Sequence, residues 1–519
     1  MTTSHTPSPS AAPSRDARSL VAAFVGASDE ESGPLFDELV SSAWREGATT
    51  SAAAGTAEAA AESLEAAPPD RQGLLVVLLG LLAGSDDGPR VTVRAHLDTF
   101  LRLLGRTGGG RPLTLALFYL LGHFPEDRKR IMAAVEPLDP PRDDRTRLER
   151  CLTSLDPEDI VLGRVWPSPS EWILGEEERR ADRAWVAGLS ADQIARAWAQ
   201  DTRSVRSHAG AKALWAVREG TPVAVVDRGS HADAPLFEVS ALPERRPGTH
   251  GASLRCTSCR GGLEETGAGL TCRDCSLVYP VEYGVVDLLD PLTPEAGEAE
   301  EGERGDVLRH AQVMPRVGHH YENGLRPAFL RSMGSNWGGL VSPTDEDSYI
   351  TEHLRPVEGT VLDMAAGAGR WTAVVADAVG PERVVALDAN PSMLVWLRGR
   401  LPDVESVRAS ALDLPFADAS LGAVNCWNSL QALPDPERAV AEVGRCLRPG
   451  GTFTLMTFLR SPDPVYRYFQ TTQNFPGFPD GMPLFERDDI VSWLRSAGMS
   501  VRDERTPGTF LIITARKEG

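Results

Sequence analysis

The segment that most constrains the fold is "VLDMAAGAGRWT" (361–372), in which an apolar run and an Asp lead into small residues and then a helical pattern. Strand and helix patterns alternate beyond it, with further apolar runs at 383–389 and 421–427. Such alternation predicts a parallel sheet with helices on both faces. Ligands bind these sheets at the carboxyl ends of the strands, where glycines allow the backbone to approach a ligand closely.

A second acidic residue indicates what kind of ligand binds there. Asp388 ends the next predicted strand, 19 residues after Gly369. A carboxylate at that place can accept hydrogen bonds from both hydroxyls of a ribose. On spacing alone, NAD stays open as the ligand.

Four segments in order resemble those of a class I S-adenosylmethionine-dependent methyltransferase: "VLDMAAGAGR", "VVALDANPSML", "ALDLPFADASLGAV" and "AEVGRCLRPGGTFTLMTF". The resemblance covers roughly residues 320–460. It implies a Rossmann-like domain with a closing antiparallel hairpin, and S-adenosyl-L-methionine as the cofactor. The implied contacts run from the methionine part through the ribose to the adenine, with Asn425 approaching from the other side: Asp363, Ala365, Gly367, Gly369, Asp388, Ala389, Met393, Ser410, Ala411, Leu412 and Asn425.

Two of these positions depart from the family's pattern. Ala365 stands where the first glycine of the motif is expected, and its small side chain still permits close approach. Ser410 stands where an Asp often faces the adenine amino group, so a weaker contact is expected there.

Candidates for the acceptor side lie in three further segments. "VGHHYENGLRP" (317–327) precedes the sheet, where such domains fold a lid helix, and "CWNSLQALPD" (426–435) follows a predicted strand. The segment 461–483 is rich in aromatic residues and Pro and predicts a flap over the substrate. The predicted catalytic residues are His320, Tyr321 and Asn428, with His319 as a further candidate. The predicted substrate contacts are Trp427, Gln431, Tyr466, Tyr468 and Phe469. Ordinary surface or core packing is the alternative for each.

Two CxxC pairs predict a metal site. They are separated by 12 residues, and thiolates at this spacing supply a tetrahedral, closed Zn²⁺ site with a role in folding. The predicted ligands are Cys256, Cys259, Cys272 and Cys275. With the tail "SLVYPVEYGVVDLLD" (276–290), they resemble the zinc ribbons that accompany methyltransferase domains, among them rRNA guanine methyltransferases.

The front half of the chain carries apolar residues at helical spacing, broken by Pro, Gly and Asp. This pattern predicts either a HEAT-like array of helices or a plain helical bundle. A HEAT-like array would bind a protein partner. The stretch 188–208 resembles the helix-turn-helix of response regulators. Ile194 and Ala195 would then pack the first helix, and Ser204 and Val205 would open the recognition helix. A helical packing element is the alternative.

Charge and hydropathy limit the possible partners. The chain carries a net charge of −20, and residues 310–519 hold 20 basic and 25 acidic residues, a net charge of −5, so nucleic acid is not favoured. The longest apolar run, 74–84, is too short to span a bilayer. No secretory signal is recognisable, which favours a cytoplasmic protein.

The sequence therefore predicts a multidomain chain: a disordered tail (1–15), a helical domain (16–240), a zinc ribbon (250–290), an acidic linker (291–310) and a methyltransferase domain (311–519). We expect it to methylate oxygen or nitrogen of a small-molecule or peptide intermediate of specialised metabolism. An rRNA base methyltransferase and a DNA-binding regulator are the alternatives.

Overall fold

The computed structural model describes residues 16–172, 174–223, 254–266, 269–289, 310, 316–473, 478 and 481–519. The chain forms two compact units, Met1–Asp144 with Ala216–Thr221, and Arg145–Trp215 with Pro222–Gly519. The predicted tail (1–15) and the predicted linker, apart from His310, lie outside the described residues. The division falls at Asp144 instead of near 240, and the predicted domain boundaries stay predictions.

The first unit is helical. The run that was too short for a bilayer lies in a helix whose Leu74–Ala83 residues are all buried, as expected of a core helix. None of the helices in the described part of the chain is long and apolar enough to cross a membrane. The HEAT-like repeat stays a prediction. The elements are α1 Ala17–Val25, α2 Asp29–Ala43, β1 Trp44–Arg45, β2 Ala48–Thr49, α3 Ala53–Ser63, α4 Pro69–Ser85, α5 Asp87–Arg94, α6 Leu97–Leu104, α7 Pro112–Leu121 and α8 Arg128–Val135.

Three further helices follow: α9 Arg142–Leu152, α10 Glu176–Ala187 and α11 Ala191–Glu219. The predicted helix-turn-helix is wrong, because residues 191–219, all of them described, form one continuous helix where a turn was expected. The stretch between the two predicted helices holds no Gly or Pro that would end a helix. Ser204 and Val205 are buried, so they do not form an exposed recognition surface.

The second unit is built on a mixed sheet. Its strands are β6 Val281–Glu282, β7 Val285–Asp287, β8 Thr360–Met364, β9 Val384–Asp388, β10 Glu405–Arg408, β11 Leu421–Trp427, β12 Leu447–Phe458, β13 Met499–Arg505 and β14 Phe510–Lys517. Their order across the sheet is β13-β14-β12-β11-β8-β9-β10-β7-β6. Within β8 to β12, neighbouring strands pair in parallel. The chain adds β9 and β10 on one side of β8 and then crosses over to add β11 and β12 on the other side. The predicted closing hairpin is confirmed, since β14 pairs antiparallel with both β12 and β13.

Helices flank this sheet and contribute the loops at its carboxyl edge. Among the described residues they are α12 Val317–His320, α13 Arg326–Met333, α14 Pro343–His353, α15 Arg370–Val379, α16 Pro391–Arg400, α17 Pro436–Cys446, α18 Pro464–Thr471 and α19 Arg487–Ser496.

The cysteine-bearing segment forms a small sheet of β3 Leu263–Thr266, β4 Gly269–Cys272 and β5 Val278–Tyr279. The residues after it, assigned to the ribbon from sequence, instead extend the main sheet. There β7 (Val285–Asp287) pairs parallel with β10, and β6 (Val281–Glu282) pairs antiparallel with β7. The buried Val286 explains the difference, because β10 would otherwise present an unpaired edge and Val286 an exposed side chain.

Candidate active site

Residues 365–369, which follow β8, form the glycine segment, and its two glycines have different roles. A Cβ added at Gly367 would meet no atom within 4 Å, so this backbone faces open space at the carboxyl edge of the sheet. A Cβ at Gly369 would lie 2.7 Å from Leu397 Cγ, so this glycine lets α15 pack against α16. Ala365, Gly367 and Gly369 all have positive φ, at 56°, 55° and 91°. Close approach of a ligand is therefore possible at Gly367, and tight packing explains Gly369.

Asp388, at the end of β9, holds the glycine segment in this shape. Its Oδ2 accepts a hydrogen bond from the Gly367 N–H at 2.8 Å, and its Oδ1 accepts one from the Asn390 N–H at 2.8 Å. Burial raises the pKa of the Asp388 carboxyl, and these backbone donors oppose the rise. Next to it Ala389 is exposed, whereas Met393 is buried in α16.

Asp363 lies beneath the glycine segment and is almost fully buried. Its two carboxylate oxygens accept hydrogen bonds from Thr372 Oγ1 at 2.5 Å and from Asn425 Nδ2 at 2.8 Å. Burial raises the pKa of Asp363 to about 6. Asn425 is itself fully buried, and its Oδ1 accepts from Thr454 Oγ1 at 3.2 Å. The predicted cofactor contact by Asn425 is therefore replaced by a positioning role, because its amide is committed to Asp363 and Thr454.

The predicted adenine edge follows β10. Ser410 Oγ accepts the Leu412 N–H at 3.1 Å, which closes a local turn. Ala411 is buried, whereas Ser410 and Leu412 are partly exposed. The Ser410 hydroxyl can still donate a hydrogen bond, which agrees with the weaker contact expected at this position.

The predicted lid segment contains α12, a π-helical turn at Tyr321–Leu325, and α13, and these elements are called the lid below. π-Helical turns are rare and occur frequently at functional sites. The Tyr321 hydroxyl interacts with the side chain of Asn428, which follows β11 and has a φ of 58°. Burial raises the pKa of Tyr321, so at neutral pH it is a phenol that donates hydrogen bonds and not a base. The structure thus brings together two of the predicted catalytic residues.

His320 is engaged elsewhere. Its Nε2 lies 2.8 Å from Glu178 Oε1 on α10, and both side chains are buried. Glu178 also accepts the Gly175 N–H at 2.7 Å. Although burial raises the pKa of Glu178, the hydrogen bonds from His320 and Gly175 outweigh it and lower the pKa. We therefore correct the predicted role of His320 from proton transfer to anchoring the lid. His319, whose pKa is lowered by burial, lies beside it.

Glu322 was missed in the sequence, where nothing but its place beside Tyr321 marks it. Its carboxylate pairs with Arg400 and accepts the backbone N–H of Arg370, the first residue of α15. Arg400 also donates to the Ala368 carbonyl at 3.1 Å. Burial raises the pKa of Glu322 to about 7, against the opposing charges of Arg400, Arg326 and Arg370. This pair fastens the lid to the glycine segment.

Two predicted substrate contacts near β11, Trp427 and Gln431, are buried and hydrogen-bonded to other protein groups. The Trp427 indole N–H donates to Glu346 Oε1 at 2.9 Å, and Trp427 is 2% exposed. Gln431 is fully buried, donates to the Asn428 carbonyl at 2.8 Å and accepts from Thr457 Oγ1 at 2.9 Å. Because its amide is satisfied on both sides, Gln431 orients Asn428 instead of facing an open space.

The predicted flap contains the amphipathic helix α18, and its aromatic residues pack inward. The Tyr466 hydroxyl donates to the Ser332 carbonyl at 2.7 Å and accepts from the Trp337 indole at 3.1 Å. A Cβ at Gly210 of α11 would lie 2.4 Å from the Phe469 ring. The predicted substrate contacts of Tyr466 and Phe469 are thus replaced by packing; Tyr468 is partly exposed. Residues 474–477 and 479–480 of the flap lie outside the described part.

Trp371 is a second residue that sequence reasoning missed. It follows the glycine segment directly, and the Arg326 guanidinium lies 3.3 Å from its ring centroid. Its buried indole N–H has no hydrogen-bond partner among the described residues. Since Arg326 belongs to the lid and the neighbouring Trp427 ends β11, Trp371 lies between the lid and the sheet edge.

The four cysteines of the CxxC pairs converge, with all Sγ atoms within 4.8 Å of one another. Cys256 and Cys275 lie 3.6 Å apart, and Cys259 and Cys272 lie 3.4 Å apart. A tetrahedral zinc with Zn–S bonds of about 2.3 Å requires S–S separations of roughly 3.8 Å. The cysteines therefore fit this metal.

The two CxxC turns also have matching backbones. The residue after each pair, Arg260 and Ser276, has a positive φ of 64° and 59°. Its N–H donates to the carbonyl of the first cysteine, from Arg260 to Cys256 at 2.9 Å and from Ser276 to Cys272 at 3.0 Å. Two equivalent turns that present thiols to one point are typical of a zinc site.

Comparison with known proteins identifies the fold's family. Residues 361–451 match a family model described as a methyltransferase domain. Two uncharacterized chloroplastic methyltransferases of Arabidopsis thaliana are 28% and 30% identical, over 48% and 40% of this chain and 70% and 59% of theirs. The demethylmenaquinone methyltransferase of Clavibacter sepedonicus is 31% identical over 30% of this chain and 71% of its own. The matched residues 361–451 include Asp363, Gly367 and Asp388. The chain belongs to the class I S-adenosylmethionine-dependent methyltransferases.

Proposed function

We propose that this enzyme methylates a small-molecule acceptor, on oxygen or nitrogen, with S-adenosylmethionine held along Gly367, Asp388 and the 410–412 strip. The observation that carries the proposal is the contact between Tyr321 in the π-helical turn and Asn428, which follows β11 at the carboxyl edge of the sheet. Open space at Gly367 supports a ligand there. The net charge of −5 over residues 310–519 supports a small molecule over RNA.

The chemistry needs little beyond placement. Bound S-adenosylmethionine supplies an electrophilic methyl group. Tyr321 and Asn428 would orient the acceptor for in-line attack, and the Trp371 indole N–H would donate a hydrogen bond to an acceptor oxygen. An acceptor hydroxyl must lose its proton as the new bond forms. We propose Glu322 as the group that receives it, because it adjoins Tyr321 in the π-helical turn and burial raises its pKa to about 7, near the working pH.

Carbon methylation of a hydroquinone ring is the second candidate. Its support is the likeness to demethylmenaquinone methyltransferases, of which that of Clavibacter sepedonicus is 31% identical. A hydroquinone would use the same proton acceptor, since loss of the ring hydroxyl's proton makes the neighbouring carbon nucleophilic.

The cysteine cluster is proposed to hold one structural zinc. All four ligand positions are taken by protein thiolates, which leaves no open position for a substrate. The metal would therefore stabilise the ribbon. We propose that the helical first unit binds a protein partner. A cytoplasmic location of the protein stays a prediction.

The test is methyl transfer from radiolabelled S-adenosylmethionine to a cell extract separated into small molecules, protein and RNA. Label in the small-molecule fraction supports the proposal, and label in RNA alone contradicts it. Tyr321→Phe should lower the transfer, whereas Tyr283→Phe, which alters a 54% exposed tyrosine, should not. Mass spectrometry and NMR of the product, with a demethylmenaquinol added as a defined acceptor, separate oxygen or nitrogen methylation from carbon methylation.

A further inference from the structure

The predicted adenine edge continues directly into a segment that the ribbon holds. Three residues after Leu412, the Pro415 carbonyl accepts a hydrogen bond from the Arg255 N–H at 2.8 Å. The next residue, Phe416, forms an antiparallel bridge with Leu254. Arg255 precedes Cys256, the first cysteine of the first CxxC turn. Backbone pairing thus joins the start of the ribbon to the end of the cofactor strip.

One ribbon side chain makes a further contact with the same segment. Arg260 donates from Nη1 to the Leu414 carbonyl at 2.9 Å, and its guanidinium pairs with the Asp413 carboxylate. Arg260 follows Cys259 in the left-handed conformation that the first CxxC turn imposes. The turn's geometry therefore fixes where this guanidinium points.

Apolar side chains also join the ribbon to residues 413–416. Leu254, Cys256, Leu414 and Phe416 are all fully buried and belong to one apolar core. On its other side the segment is held by Glu442, which accepts the Leu414 N–H at 2.9 Å. The strip 410–412 is thus carried by a segment that lies between the ribbon and α17.

We propose that the metal-bound ribbon is part of the cofactor site: it positions residues 413–416 through Arg255 and Arg260, and thereby sets the affinity for the adenosine half of the cofactor. The inference rests on the proposed function, which places zinc at the cysteines and adenine at 410–412. A metal centre couples to folding, because its ligands are brought together only with the metal. Loss of the metal should therefore loosen the first turn and, with it, the cofactor strip.

The experiment measures S-adenosylhomocysteine binding by calorimetry to the full-length chain and two variants. Arg260→Ala removes the contact to the strip but no zinc ligand. Arg273→Ala is the matched control, since Arg273 follows the first cysteine of the second turn and contacts the ribbon's own Glu264. Arg260→Ala should keep one zinc by metal analysis and bind about fivefold to tenfold more weakly, and Arg273→Ala should bind like the parent. S-Adenosylmethionine should lose the same factor, because both ligands carry adenosine.

Enzyme kinetics and amide hydrogen exchange distinguish a loss of positioning of residues 413–416 from a general loss of folding. The KM for S-adenosylmethionine should rise in Arg260→Ala while kcat at saturating cofactor stays within about twofold, and amide exchange should speed up in residues 409–416. Equal affinity of Arg260→Ala and the parent, both with zinc bound, would overturn the inference and leave the proposed function standing. A parent chain that binds no S-adenosylhomocysteine, or purifies without metal, would instead refute the proposed function as well.

Discussion

Replacing Glu322 with Gln tests whether burial makes the charged form of Glu322 unfavourable in the folded protein. The Glu322 side chain is 6% exposed, and burial raises its pKa from the ordinary 4.5 to about 7 in the folded protein. A carboxyl with a raised folded pKa holds its proton more tightly in the folded state than in the unfolded state. Its contribution to stability is therefore present below the unfolded pKa and is lost as the pH rises through about 7.

The size of the effect follows from the shift. One pKa unit corresponds to about 1.4 kcal/mol, so the whole span is about 3 kcal/mol, and roughly 2 to 3 kcal/mol of it falls between pH 5 and pH 8. Glu322→Gln keeps an oxygen that can accept from Arg400 and the Arg370 N–H, but it does not titrate. The free energy of unfolding of the variant, relative to the parent, should therefore rise by that amount from pH 5 to pH 8.

Urea denaturation at the two pH values, followed by tryptophan fluorescence, measures this difference. The exposed Glu352, changed to Gln, serves as the control and should show no pH-dependent difference from the parent. A difference between Glu322→Gln and the parent that stays constant from pH 5 to pH 8 would refute the reasoning. Burial would then not disfavour the charged form of Glu322 in the folded protein.

Three further outcomes are expected. Glu178→Gln removes the charge that holds His320, so proteolysis within the lid at 316–333 should speed up, and an unchanged rate would contradict the anchor. Asn425→Leu takes one hydrogen bond from the buried Asp363, which should cost about 1 to 3 kcal/mol of stability, measured by denaturation; a neutral result would contradict the positioning role. Changing Cys256 and Cys259 together to Ser should lower bound zinc from about one equivalent to none and expose a protease site within 250–290, whereas retained metal would contradict the four-thiolate site.

The sequence was informative where local spacing determines geometry. The alternation of strands and helices, the glycine segment and the two CxxC pairs each fix a local shape, and the structure has those shapes at Gly367, at Asp388 and in the cysteine cluster. The spacing at 188–208 was misleading, because a continuous helix carries the same residues at the same intervals as a helix-turn-helix. The absence of Gly and Pro between its two halves was the better signal.

Long-range pairing was beyond sequence reasoning. The pairing of β7 with β10 depends on an edge that exists only once the main sheet is folded. The bond between His320 and Glu178 joins residues 142 positions apart, so nothing near His320 showed that it is engaged. The raised pKa of Glu322 likewise arises from burial, which the segment 317–327 does not reveal, and two of the arginines that oppose the rise, Arg370 and Arg400, lie on other helices.

The most direct test of the central claim is calorimetric titration of the full-length chain with S-adenosylmethionine and S-adenosylhomocysteine, repeated with Asp388→Ala. Both ligands should bind the parent with a stoichiometry of about one. The variant should bind at least about tenfold more weakly, because hydrogen bonds to a charged group contribute about 1.5 to 3 kcal/mol. Absence of binding by the parent, or equal affinity of the parent and Asp388→Ala, would contradict the cofactor site described above.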